Sequence, residues 1–251
     1  MGLLLSSMPG RQRGFLLNPF RFGVPSGGDP NFSSVKLLLH CDGADGATTF
    51  TDSSAVGRAV TAAGNAQLDT AQFKFGTASA LFDGADDRLS LADSDDWSFG
   101  TGAFTLELQV RAASVATAAE LLSHRSAADI NNFWYVRLNT DGCISVVAVT
   151  GGTTITNIKT TLPITVGAWS HVAVVRSGGT VKIWIDGANA DTVTTNATTA
   201  WPNPAVPLYV GVAHDGLVND YSGHLDEIRI TKGVARYTAA FTPPAAAFPN
   251  Y

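Results

Sequence analysis

The clearest alternation in the chain lies at 103–111, AFTLELQVR. Phe104, Leu106, Leu108 and Val110 fall on one side of an extended segment, and Thr105, Glu107, Gln109 and Arg111 on the other. A two-residue period predicts a strand with one buried face. Similar short bursts recur as VKLLLHCDG, SALFDG, RLSLAD, AELLSHR, FWYVRLN, CISVVAV, WSHVAVVRSGGTVKIWIDG, PLYVGVAHDG and SGHLDEIRITKG, punctuated by glycine, aspartate and asparagine. Gly178-Gly179 and Asp186-Gly187 read as tight turns, Asp141-Gly142 as a type I′ turn, and DGADD at 83–87 as a further hairpin. One helical turn is expected over 234–237 and no long helix anywhere. About twelve to fourteen short strands at such spacing indicate an all-β, two-sheet antiparallel jelly-roll sandwich.

One stretch conflicts with simple alternation. In HLDEIRI (224–230), Asp226 shares a face with Ile228 and Ile230, while Glu227 and Arg229 form a charge pair on the solvent side. A carboxylate on an apolar face must be hydrogen-bonded, paired or metal-bound, because burying it unsatisfied is very costly. Asp226 is therefore catalytic, structural or an ion ligand.

Residues 1–33 lack either periodicity and read as an extended N-terminal arm. The jelly roll spans 34–244, and 245–251 form a proline-stopped surface tail. The arm carries Arg11, Arg13 and Arg21 among Phe15, Phe20 and Phe22, and could not bury these rings alone. Such a segment suits anchoring on another subunit or protein, with rings as anchors and arginines as polar contacts.

Charge sharpens this division. The chain's net charge is −5, yet three arginines and no acid precede Asp29, so the remaining 13 basic and 21 acidic residues leave −8. The body is not expected to attract nucleic acid. No apolar run approaches the ~20 residues of a membrane span, so no membrane insertion is expected. Three glutamates stand against eighteen aspartates, which disfavours helix and suits turns. Cys41 and Cys143 lack zinc-ligand spacing and read as small buried hydrophobes. The five histidines show no metal-binding spacing, and no nucleophile elbow or phosphate-binding glycine loop is present.

Four segments in order, FDGADDRLSLADSDDWSFGTGAFTLELQVR, WSHVAVVRSGGTVKIWIDG, LYVG and GHLDEIRITKGVARYTAAFTPP, resemble laminin-G-like, concanavalin A-like jelly-roll domains. The last segment, and the arm GFLLNPFRFG, are most similar to bacteriophage virion proteins. The resemblance implies a non-enzymatic virion structural protein: a capsid decoration, head fibre or tail component. It would be made in the host bacterial cytoplasm and displayed on the virion surface. Its expected partners are other capsid or tail proteins and further copies of itself in a homo-oligomer. The alternative is a lectin-like module that binds host-surface polysaccharide. Glycosidases of this fold carry an E-x-D-x-E strand, which three isolated glutamates cannot supply, so no enzyme is expected. Jelly rolls resembling this one often hold a structural Ca2+; the matching positions are Asp42 or Asp52 from the early loop and Asp226 from the late strand, with backbone N–H groups as the alternative partners of Asp226. For a glycan, the candidate platforms are Trp184, flanked by Lys182 and Asp186 on its own face, and Trp134.

Overall fold

The computed structural model describes residues 28–189, 199–214 and 218–251, with the backbone of Thr194–Thr195. The six anchoring residues assigned to the arm, Arg11, Arg13, Phe15, Phe20, Arg21 and Phe22, lie outside the described residues.

Two antiparallel sheets face each other. The first runs β13 (Ala188–Asn189), β12 (Thr180–Ile185), β11 (Ser170–Ser177), β6 (Phe104–Ala112), β16 (Ser222–Lys232), β4 (Ser79–Asp83) and β3 (Gln67–Asp69). In addition, β1 (Val35–Leu39) pairs with β16 and β14 (Thr194–Thr195) with β12. The second runs β10 (Thr153–Lys159), β9 (Ile144–Thr150), β8 (Phe133–Leu138), β7 (Ala119–His124), β15 (Leu208–Val210), β5 (Arg88–Leu91) and β2 (Thr61–Ala63). The inward sides of β6 and β8 meet in the core: Phe104, Leu106, Leu108 and Val110 are fully buried, as are Trp134, Val136 and Leu138. This is the two-sheet antiparallel sandwich that the alternation predicts.

Turn chemistry follows backbone sterics. Gly178-Gly179 (φ 55° and 81°) and Asp186-Gly187 (φ 49° and 78°) join paired strands across two residues, both left-handed, as a type I′ turn requires. The turn at 139–142 differs from expectation. Gly142 N–H donates to Asn139 O at 2.9 Å, and within this turn only Gly142 is left-handed (φ 77°), so it is a type I turn with a glycine bulge. DGADD is no hairpin either, because β4 belongs to the first sheet and β5 to the second. It is a corner between layers, held by the Asp87 carboxylate, which accepts the N–H groups of Asp83 (2.7 Å) and Asn65. Residues 234–237 form no helical turn; among the described residues the only helical pieces are 3-10 turns at Phe32–Ser34 and Asp95–Trp97.

The outward side of the first sheet is also buried at its centre. Thr105, Glu107 and Gln109 are 0–1% exposed. The chain after β16 folds back over them: Ala235, Tyr237 and Phe241 pack on Ala173, Val175 and Trp184, and Phe248 packs with Val35 and Leu38. Phe248 is thus buried, although the sequence reads as a surface tail at this point. Both cysteines are free and buried.

Candidate functional site

HLDEIRI resolves through a β-bulge. Asp226 sits opposite Gln109, and Arg229 opposite Glu107, so three steps along β16 match two along β6. Glu227 takes the extra place with φ 48°. The bulge inverts the alternation beyond it. Leu225, Ile228 and Ile230 point into the core, while Asp226 and Arg229 pair with the outward residues of β6. Asp226 therefore does not share a face with the isoleucines.

Glu227 and Arg229 are not a solvent-side pair either. Glu227 is 1% exposed; it contacts His40 Nδ1 at 2.8 Å and accepts the Phe248 N–H at 2.7 Å. Arg229 donates to Glu107 from Nε (2.8 Å) and contacts it from Nη2 (2.7 Å), reaches Asp29 from Nη1 (3.3 Å), and lies 3.6 Å over the Phe248 ring. Glu107 also accepts the Tyr237 hydroxyl (2.8 Å), and Arg236 holds Asp29 (2.6 Å). Burial works to raise the Glu107 carboxyl pKa, but His171, Arg229 and Tyr237 outweigh it and lower it.

The proposed calcium ligands serve as loop clamps. Asp226 accepts the N–H groups of Lys74 (2.8 Å), Phe75 (3.0 Å) and Glu227 (2.7 Å). Burial, opposed by those amides, pushes its pKa up to about 7. Asp42 holds Thr77 through both its N–H and its hydroxyl (3.0 Å). Asp52 accepts the N–H groups of Leu38 (3.0 Å), Ser54 (2.9 Å) and Arg58 (2.8 Å). Asp42 and Asp226 thus clamp one loop, at 74–77, and Asp52 another. Among the described residues, no three His, Cys, Asp or Glu side chains converge as an ion would need. The set Asp42, Asp52, Asp226 does not fit a shared Ca2+, because Asp52 holds a different loop from the other two and the three do not converge.

The tryptophan platforms are corrected too. Trp134 is 0% exposed and donates from Nε1 to Trp97 O at 3.2 Å inside the core. Trp184 does point outward from its sheet, as the alternation suggests, but Phe241 covers it edge-on (centroids 5.8 Å apart) and leaves it 2% exposed. A shallow hollow of about 350 Å³ beside it is lined by Val175, Ser177, Thr180, Lys182, Tyr237 and Thr238.

The outward side of the second sheet is different. On β8, Phe133, Tyr135 and Arg137 alternate with the core residues and remain half-buried. The Phe133 and Tyr135 rings are parallel within 4°, with centroids 5.9 Å apart. The Arg125 guanidinium lies 5.1 Å from the Phe133 ring, and that of Arg137 lies 4.4 Å from the Tyr135 ring. Beneath them, fully buried Glu120 receives Arg137 Nη2 (2.6 Å), Arg125 Nη1 (3.1 Å) and Asn219 Nδ2 (3.3 Å), all on Oε1. Burial raises the Tyr135 hydroxyl pKa, while Arg137 pulls it down. No apolar cluster among the described residues includes either ring. Sequence reasoning put Trp184 first and, within FWYV, chose Trp134 over its neighbours. The signal was the parity of FWYVRL: Trp134, Val136 and Leu138 form the wholly apolar side, so Phe133, Tyr135 and Arg137 must face out.

Comparisons with known proteins agree with this architecture. The family described as the concanavalin A-like lectin/glucanases superfamily matches residues 83–236. The chain is similar to the binding domain of Paraclostridial Mosquitocidal Protein 1 at 13% identity and TM-score 0.63, covering 81% of this chain and 50% of that one. It is similar to domain 4 of an extracellular arabinanase from Geobacillus stearothermophilus, solved with arabinotriose, at 20% identity and TM-score 0.58, covering 80% and 94%. It is also similar to the binding domain of botulinum neurotoxin serotype C1, at 12% identity and TM-score 0.56, covering 81% and 50%. The chain therefore spans about half the length of those two toxin chains. Against curated proteins the sequence finds no match.

Proposed function

The chain belongs to the concanavalin A-like lectin/glucanases superfamily, and from that premise we propose that it is a non-catalytic, lectin-like module binding carbohydrate on the outward face of its second sheet. The observation carrying this reading is the parallel, half-buried pair Phe133 and Tyr135, held beside two arginines and outside every apolar cluster described. Planar rings offer sugars an apolar surface, and fixed polar groups beside them orient the hydroxyls. The arabinanase domain of similar fold, solved with arabinotriose, supports carbohydrate as the ligand class. Hydrolysis is disfavoured on this chain's own residues. Glu107, Glu120 and Glu227 are all 0–1% exposed, each in contact with a histidine or arginine, and none forms an open carboxylate pair.

The test is a glycan array probed with the full chain. Saturable binding should weaken at least about tenfold in Tyr135→Ala, the factor that ~1.4 kcal/mol carries, with little change in melting temperature. Binding that survives both Tyr135→Ala and Phe133→Ala refutes this face.

A second reading, display on a bacteriophage particle, is favoured by the basic, aromatic arm and by the resemblance of GHLDEIRITKGVARYTAAFTPP to virion proteins. Asp29 ties into Arg229 and Arg236, so a truncation that spares the body should end at residue 27. Chains lacking residues 1–27 should fold yet fail to enter particles; normal incorporation refutes the tether.

A further inference from the structure

We infer that the ligand of the Phe133–Tyr135 face is an acidic polysaccharide, whose hexuronate carboxylate is received by Arg125 and Arg137; this rests on the carbohydrate reading above. The charge count comes first. Two guanidinium groups converge on a single oxygen of Glu120, so two cations share one anion, in a chain whose overall charge is −5. That arrangement leaves a local surplus of positive charge where the rest of the molecule is acidic.

The donor count agrees. Each guanidinium carries five N–H donors in a rigid fork. Contact with Glu120 uses Nη1 of Arg125 and Nη2 of Arg137. Arg125 Nη2 and Arg137 Nη1 have no partner among the described residues, and neither belongs to the buried atoms. Their side chains are 20% and 22% exposed, so these donors reach solvent. An arginine fork matches a carboxylate in plane and spacing, and each arginine spends only one nitrogen on Glu120.

The third argument is spacing. The Arg137 guanidinium carbon stands 4.4 Å from the Tyr135 ring and that of Arg125 stands 5.1 Å from the Phe133 ring. Cation and ring therefore lie within the width of one sugar. Each guanidinium lies over its ring, so a sugar meets the part of the ring the cation leaves uncovered; a uronic acid bears its carboxylate directly on the sugar ring, so one residue can touch the aromatic and the guanidinium together. A neutral sugar leaves those donors to water.

The experiment is titration calorimetry of the full chain with polygalacturonate fragments and with the same fragments after carboxyl reduction. The uronate should bind, and reduction should weaken it at least about tenfold, the range of a lost charge-assisted hydrogen bond. Arg137→Gln should bring a comparable loss for the uronate and little for the reduced polymer. Comparing the two polymers on the wild type keeps the test independent of whether that variant folds. Equal affinity for both polymers, abolished by Tyr135→Ala, overturns the acidic assignment and leaves the carbohydrate face standing. Uronate binding indifferent to Tyr135→Ala and Arg137→Gln overturns both. Absence of uronate binding overturns this inference, as does tighter binding of a sulfated galactan.

Discussion

Arg229→Met removes the cation that joins three distant parts of the chain: Asp29, Glu107 and the Phe248 ring. Its side chain is 5% exposed and that of Glu107 is 0%, so solvent cannot replace the lost partner. Breaking a buried pair from one side costs about 3–5 kcal/mol. Glu107 keeps the Tyr237 hydroxyl, and Asp29 keeps Arg236, which places the expected cost near the lower end, about 3 kcal/mol. For a chain of this size that corresponds to a melting temperature lower by roughly 6–12 °C. Glu107→Gln alone should also destabilise, and the double variant should be less damaged than the sum of the singles by at least about 1 kcal/mol, because neither charge is then stranded. Urea denaturation of the four proteins gives the cycle directly. A cost below about 1 kcal/mol for Arg229→Met, the value of an exposed pair, or additive singles, would refute the buried network.

Three further outcomes follow from the same geometry. The hydrogen bond that His40 donates to the Glu227 carboxylate holds the His40 pKa above 6.5 despite opposing burial, so its stabilisation is complete below 6.5 and lost as pH rises through the raised folded value. Calorimetric melting temperature should fall above pH 6.5; His40→Gln should flatten that fall only in part, since Asp226, raised to about 7, also loses native stability as it ionises. A slope unchanged by the substitution would disprove this role. Asp226→Ala leaves three N–H donors without their acceptor, of which only that of Glu227 is buried, and should cost about 1–3 kcal/mol, while a chelator should leave the wild-type melt unmoved; a chelator-lowered melt would restore the ion. Trp184→Ala should cost about 3–5 kcal/mol as a cavity beneath Phe241 without altering glycan affinity of the folded fraction; lost binding with an intact melt would return Trp184 to the ligand site.

Local sequence carried much of this. AFTLELQVR assigned the core side of β6 correctly, and Gly178-Gly179 and Asp186-Gly187 marked their turns, because strand parity and left-handed φ depend only on a few neighbouring residues. The same parity in FWYVRL already held the outward rings of the candidate face. Other features depend on partners far along the chain. Whether an outward side meets water is set by what folds over it: residues 235–248 cover Glu107, Trp184 and Val35, while no apolar cluster takes in Phe133 and Tyr135. The bulge at Glu227 appears only when β16 is laid against β6, and it reverses the facing of Asp226 relative to Ile228. The corner at 83–87 crosses between sheets although its residues spell a hairpin. Alternation reports a strand's two sides; only the tertiary structure says which of them another segment has taken from the solvent.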